Sequence, residues 1–165
     1  MRETRIRALA ADNWPAIWHF MRPIAAAGET FAWERDIPEA ESRTRWCHEP
    51  PGRTFVAVDE LGRVVGTAES ERNHGGPGAH VATASFMVDP DHQGKGVGRA
   101  LCAHVLGQAR ADGYRAIRFN AVAETNTAAV ALWRSFGFDV LATVPEAFDH
   151  PSAGPVGLHI MHRRL

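Results

Sequence analysis

A turn rich in glycine and positive charge lies in the middle of the chain and could bind phosphate groups. It consists of Gln93, Gly94, Lys95, Gly96, Val97, Gly98 and Arg99. Glycine lets the backbone turn tightly with no side chain in the way. A strand pattern ends before the turn and a helical pattern begins after it, so the unpaired N–H groups and the dipole of the helix start would face an anion. The turn predicts a pyrophosphate site; the alternative is a glycine-rich turn with solvated charges.

Two common phosphate-binding motifs do not fit this turn. A nucleoside-triphosphate loop needs Ser or Thr after Gly-Lys, whereas Gly96 follows Lys95. A dinucleotide-binding fingerprint needs glycine at its first, third and sixth positions. The sixth position is Arg99 when counted from Gly94, and Leu101 when counted from Gly96. Both motifs are excluded by their own spacing.

Strands and helices alternate around the turn. Strand patterns cover residues 4–9, 54–59, 64–71, 81–88, 115–122, 138–144 and 156–162. Helical patterns run from Asp12, as N-cap, to residue 27, and over residues 39–47, 96–112 and 126–136. A helix between consecutive strands predicts a parallel crossover, and the hairpins predict antiparallel pairs. The sequence therefore predicts a mixed α/β sheet with helices on both faces, as a single domain over residues 1–165.

The amino-acid composition indicates which binding partners and which cellular compartment to expect. The 18 Lys and Arg residues nearly balance the 19 Asp and Glu residues, so no basic field favours nucleic acid. We find no apolar run near the roughly 20 residues that span a bilayer, and residues 1–11 lack a signal-peptide core. Cys47 and Cys102 are expected to be free thiols. A cytoplasmic protein without a membrane partner is predicted.

Two blocks resemble the GCN5-related N-acetyltransferases (GNAT family). The segment from Gln93 to Gly98 is similar to the family signature Gln/Arg-x-x-Gly-x-Gly/Ala. A second block is similar to the pattern Asn-x-x-Ala-x-x-Leu-Tyr-x-x-x-Gly-Phe and contains Asn126, Ala129, Leu132, Trp133, Gly137 and Phe138. The resemblance implies a mostly antiparallel sheet with a splayed central strand pair. Within the family, residues 119–126 look closest to acetyltransferases of proline analogues, and residues 29–34 fit phosphinothricin-type enzymes equally well.

The resemblance also implies which residues bind the donor, acetyl-coenzyme A. In the family, the donor lies between the fourth and fifth strands, and its pantetheine arm pairs with the fourth strand as an added strand would. Backbone groups of Met87 and Val88 would make those contacts, and the amides of residues 93–99 would bind the pyrophosphate. Asn126 would contact the pantetheine chain; alternatively it is a plain N-cap.

The implied reaction is attack of an unprotonated amine on the thioester, with the coenzyme A thiolate leaving. Glu69 and Glu71 alternate on one strand and therefore share a face, so either could be the general base; the alternative is two solvated carboxylates. On the acceptor side we place Asn120, Thr83 and Trp33. Alternatively, Asn120 bonds the local backbone at a strand end, and Trp33 is a core residue. No metal is required, and the nine histidines show no ligand spacing.

The function expected from this resemblance is acetylation of a small-molecule amine, an amino acid or an analogue. A protein or peptide N-acetyltransferase and a non-catalytic acyl-CoA-binding sensor are the alternatives. Many relatives have a tyrosine that protonates the leaving thiolate, at the position that Trp133 occupies here; alternatively, Trp133 is a core residue. A homodimer is common in the family and is possible for this chain.

Overall fold

Seven strands form one open sheet in the computed structural model, which describes residues 4–165. Met1 to Glu3, part of the predicted non-signal segment 1–11, lie outside the described residues. The strands are β1 (Arg5–Ala8), β2 (Arg53–Val58), β3 (Val64–Arg72), β4 (Val81–Val88), β5 (Ala116–Ala123), β6 (Asp139–His150) and β7 (Gly154–Arg164). The helices are α1 (Trp14–Ala27), α2 (Glu39–Trp46), α3 (Val97–Ala111) and α4 (Thr127–Ser135). The predicted order of elements is confirmed.

The sheet is antiparallel except at its centre. Its order is β1-β2-β3-β4-β5-β7-β6, and only β4 and β5 are parallel neighbours. These two strands pair at two rows, Val81 with Ala116 and Ala82 with Ile117, and then diverge. The α3 crossover between them explains the parallel direction. The expected splayed central pair is confirmed.

Helices cover both faces of the sheet, as predicted. The buried positions of α1 recur at helical spacing, and Ile17 and Met21 pack with Val56 and Met87. On the other face, α3 contributes Val97, Leu101, Cys102, Val105, Leu106 and Ala109 to the larger core. We call the α1 and α2 side the acceptor face, because Glu69, Glu71 and Thr83 lie there.

Two predicted boundaries are wrong. Asp12 does not cap α1: it lies in a short 3-10 turn, and Asn13 precedes the helix. The Oδ1 of Asn13 accepts hydrogen bonds from Ala10 N and Arg7 Nη1, which fix the end of β1. The two closing strands are also longer than predicted. β6 continues beyond residue 144 through an irregularity between Val144 and Phe148, where Glu146 has a φ of 51°.

The state of the cysteines and the lengths of the helices can also be compared with the sequence analysis. Cys47 and Cys102 are both free thiols, as predicted, and burial raises the pKa of Cys102 to about 12. Within residues 4–165, each helix is too short or too polar to cross a bilayer.

Candidate active site

The glycine-rich turn connects the end of β4 to the start of α3. Gly94 and Gly96 have φ values of +72° and +85°, a region that favours glycine. Gly96 is the N-cap of α3. A Cβ built on either glycine would have no described atom within 4 Å, so the space in front of the turn is open. The turn thus presents backbone N–H groups and a helix start to an open surface.

The charged residues of the turn are fixed by local bonds. Lys95 Nζ donates to Asp91 O at 2.8 Å, and Arg99 Nη2 donates to Ser135 Oγ at 3.1 Å. Asn126 is the N-cap of α4, where its side chain accepts from Ala129 N at 3.4 Å. The structure therefore places the predicted donor-side residues at one edge of the gap, with α3 and α4 both starting there.

Glu69 and Glu71 lie on the acceptor face of β3, as predicted, but they differ in surroundings. Glu69 is opposite Ser85 and Glu71 is opposite Thr83 on β4. Glu69 Oε2 is 2.7 Å from His48 Nε2, and Glu71 Oε2 is 3.7 Å from His48 Nδ1. The Glu69 side chain is 9% exposed and that of Glu71 is 49% exposed. Only Glu71 is therefore open to an entering molecule.

A hydrogen-bonded chain positions His48, which the sequence analysis missed. Thr54 Oγ1 donates to Trp46 O at 2.8 Å and accepts from His48 N at 3.1 Å. Trp46 Nε1 donates to Thr67 Oγ1 at 2.9 Å, which ties the end of α2 to β3. The imidazole is thereby fixed over Glu69.

The electrostatics of His48 follow from its partners. The hydrogen bond with Glu69 raises the pKa of His48 above its ordinary value, and the charges of Glu69 and Glu71 act in the same direction, against the effect of burial. These three side chains also offer donor atoms within 4.8 Å of one another, so they are the described residues that could hold a metal ion. The 2.7 Å distance between His48 Nε2 and Glu69 Oε2 is that of a direct hydrogen bond. That the reaction needs no metal stays a prediction.

A second polar group faces the gap from β5. Asn120 Nδ2 donates to Asn73 Oδ1 at 2.7 Å and lies 3.5 Å from Thr83 Oγ1. The predicted pair of Asn120 and Thr83 therefore does come together. Asn73 lies between the strands predicted over residues 64–71 and 81–88, and nothing in its sequence context indicated this contact.

An open cavity of about 330 Å³ adjoins these groups. Its lining residues are Glu49, Pro51, Gly52, Glu71, Arg72, Asn73, His74 and Gly75. Glu71 connects the cavity to His48, and Asn73 connects it to Asn120. A volume near the lower end of small-molecule sites suits a small acceptor.

Trp33 and Trp133 lie in different environments. Trp33 is half-buried and packs edge-on against Phe31 and Trp46, with ring centroids 5.8 and 6.0 Å away. Trp133 is 8% exposed and packs on Phe86 and Phe119 in the core of the opposite face. The core alternative is thus supported for Trp133, while Trp33 borders the acceptor face through Trp46.

Comparisons with known proteins agree with this geometry. The acetyltransferase (GNAT) family model matches residues 14–138. A GCN5-related N-acetyltransferase from Kribbella flavida superposes with a TM-score of 0.96 at 52% identity, over 98% of each chain. The L-amino acid N-acyltransferase MnaT of Escherichia coli is 31% identical over 117 residues, 69% of this chain and 67% of that protein.

A phosphinothricin acetyltransferase from Sinorhizobium meliloti, solved in complex with acetyl-CoA, shares the fold at a TM-score of 0.88 and 23% identity, over 98% of this chain and 88% of that chain. The chain spans 46%, 67% and 68% of the length of three curated relatives that it matches. This chain belongs to the GNAT acetyltransferase family. It is an N-acetyltransferase, and acetyl-CoA is its co-substrate.

Proposed function

We propose that this enzyme acetylates the amine of an amino acid or a close analogue. The observation that carries the proposal is the cleft on the acceptor face, where the exposed Glu71 carboxylate is opposite Thr83 and the Asn120 amide lies 3.5 Å from Thr83 Oγ1. A carboxylate attracts an ammonium group, and an amide can donate to a carboxylate. The names of similar proteins, an L-amino acid N-acyltransferase and a phosphinothricin acetyltransferase, support the same acceptor class.

The donor would bind along β4 and at the glycine-rich turn. The edge of β4 that faces β5 is free to pair with the pantetheine arm beyond Ala82, near the backbone of Met87 and Val88. The amides of residues 93–99 would hold the pyrophosphate, and Asn126 would bind the pantetheine chain while it caps α4. The side chains of Lys95 and Arg99 add positive charge at the same place.

Glu71 is the group that would contact the acceptor ammonium, since it is the exposed carboxylate of the pair. The ammonium proton would pass through Glu71 to His48 Nδ1, while Glu69 holds the opposite ring nitrogen and stabilises the imidazolium that forms. The neutral amine then forms a bond to the thioester carbon, and the carbon–sulfur bond breaks. The nitrogen loses its second proton to water as the amide forms, and the departing thiolate takes a proton from water.

An acceptor screen tests the proposal. Thiol release from acetyl-CoA would be followed across amino acids, polyamines, aminoglycosides and short peptides, with a reaction lacking acceptor as the blank. We expect the highest kcat/KM for an amino acid or an analogue. Faster turnover of a peptide would favour a protein N-acetyltransferase, and binding of acetyl-CoA without turnover of any acceptor would favour a sensor.

A further inference from the structure

We propose that Arg118 binds the carboxylate of the acceptor and thereby selects amino acids over other amines. This inference rests on the proposed function and adds a residue that determines specificity. Ile117 and Phe119 belong to the core on the α3 side of β5, so Arg118 and Asn120 lie on the acceptor face. Ala82 and Ile117 form the last paired row of β4 and β5, so the next residues, Thr83 and Arg118, lie where the strands begin to diverge, at the closed end of the gap.

The guanidinium of Arg118 contains a buried donor atom that has no hydrogen-bond partner in the described part of the chain. Its Nε is shielded from solvent and has no hydrogen-bond acceptor among residues 4–165. A buried charged donor is costly unless it is paired. Three arginines elsewhere in residues 4–165 do have carboxylate partners: Arg45, Arg53 and Arg63. An arginine that is half-buried without one is available for a ligand.

The two sides of the cleft consequently carry opposite charges. Its β3 wall carries Glu69 and Glu71, and its β5 wall carries Arg118, with the hydroxyl of Thr83 between them on β4. Adjacent strands lie about 4.8 Å apart, so the two walls are separated by roughly 10 Å near the closed end. An α-amino acid likewise carries opposite charges, an ammonium and a carboxylate, on one carbon. Arginine also matches a carboxylate with two parallel hydrogen bonds.

The test compares one amino acid with its own carboxamide. For the wild-type enzyme, we expect kcat/KM for the acid to exceed that for the amide by roughly 10- to 100-fold, as a charge-assisted hydrogen bond permits. Arg118→Met should abolish this preference by lowering kcat/KM for the acid alone. Arg118→Lys should retain part of it, because the charge remains without the bidentate geometry.

Two further arginine variants control the experiment. Arg115→Met makes the same substitution on the exposed residue that precedes β5 and should keep the wild-type preference. Arg72→Met tests the arginine that lines the cavity. If Arg72→Met and not Arg118→Met removes the preference, the assignment is overturned.

The remaining outcomes are also decisive. Equal turnover of acid and amide by the wild-type enzyme would overturn the role of Arg118, and this measurement needs no variant. The proposal can therefore be refuted even if the Arg118→Met protein misfolds. Melting temperature and acetyl-CoA affinity report folding of each variant. Failure of the wild-type enzyme to acetylate both members of the pair, with turnover of a polyamine or a peptide, would instead contradict the proposed function.

Discussion

Glu69 and Glu71 follow His48 by 21 and 23 positions in the sequence, yet Glu69 is hydrogen-bonded to the His48 imidazole and Glu71 lies 3.7 Å from its other nitrogen. Alternation along a strand is enough to predict that Glu69 and Glu71 share a face. The position of His48 depends on where α2 ends and how Thr54 holds the following residues, which is a tertiary effect. The sequence therefore indicated the carboxylates but not the imidazole between them.

Removing either carboxylate should slow the reaction. Glu71→Gln removes the exposed proton acceptor, and Glu69→Gln removes the group that stabilises the imidazolium. We expect turnover at neutral pH to fall at least roughly tenfold in each variant, because positioned acid–base groups contribute about 10²–10⁴. Glu49→Gln is the matched comparison, because Glu49 lines the same cavity and is not one of the two described carboxylates paired with His48. Normal rates in both variants across pH would place the base elsewhere or in bulk water.

The pH profile should report His48. The imidazole accepts a proton only when neutral, and its pKa is raised above the ordinary value of about 6.5 by Glu69. Activity should therefore increase as pH rises through this raised pKa. Stability has the opposite dependence: the contribution of the ion pair is complete below the unfolded pKa and is lost as pH rises through the folded one. In Glu69→Gln, the rising limb of kcat/KM should move to lower pH; an unmoved limb would exclude His48.

Tyr114, the single tyrosine of the chain, should have no part in the chemistry. It precedes β5 at the closed end of the strand pair and packs against the core on the α3 side, and burial raises its pKa. Tyr114→Phe should leave turnover within roughly twofold, because a general acid contributes 10²-fold or more. Initial-rate kinetics on the folded variant measure this, and a hundredfold loss would refute the assignment of strand direction.

At the scale of elements, glycine and proline made most boundaries predictable. Gly28, Gly113 and Gly137 adopt positive φ where helices end, as expected for residues that close a helix. The length of β6 could not be predicted, because Pro145 and Glu146 interrupt the pattern of a strand that continues beyond an irregularity. Proline is tolerated there because β6 is an edge strand.

The glycine-rich turn supports a binding prediction. Gly96→Val would place a branched side chain in the open space before the α3 N-terminus, where the pyrophosphate would lie, and should abolish acetyl-CoA binding. Gly113→Val is a matched control, because Gly113 has the same φ of +85° and open space, but lies beyond the other end of α3. Calorimetry should show a loss of binding for Gly96→Val only. Unchanged affinity in that variant would refute the proposed site.

For the whole molecule, both the order of elements along the chain and the splayed pair followed from the sequence together with the family resemblance. The homodimer and the cytoplasmic compartment stay predictions. Leu141 and Val144 are exposed on the edge strand β6 at 61% and 46%, and the oligomeric state would show whether a second copy covers them. The proposed specificity depends on long-range register, since the pairing of β4 with β5 at Ala82 and Ile117 sets where the next residues, Thr83 and Arg118, lie.

The early divergence of β4 and β5 has a consequence for amide hydrogen exchange. Beyond Ala82, the β5-facing amides of β4 are released from strand pairing, so they should exchange by local opening, although the strand is central. Acetyl-CoA should slow exchange over residues 83–88 and 93–99 and leave β2 unchanged, as mass spectrometry of peptic fragments would show. Equal slowing across all strands would contradict this. In the free enzyme, the strand amides least protected from exchange would thus lie in the middle of the sheet. Binding of the co-substrate would then protect these amides.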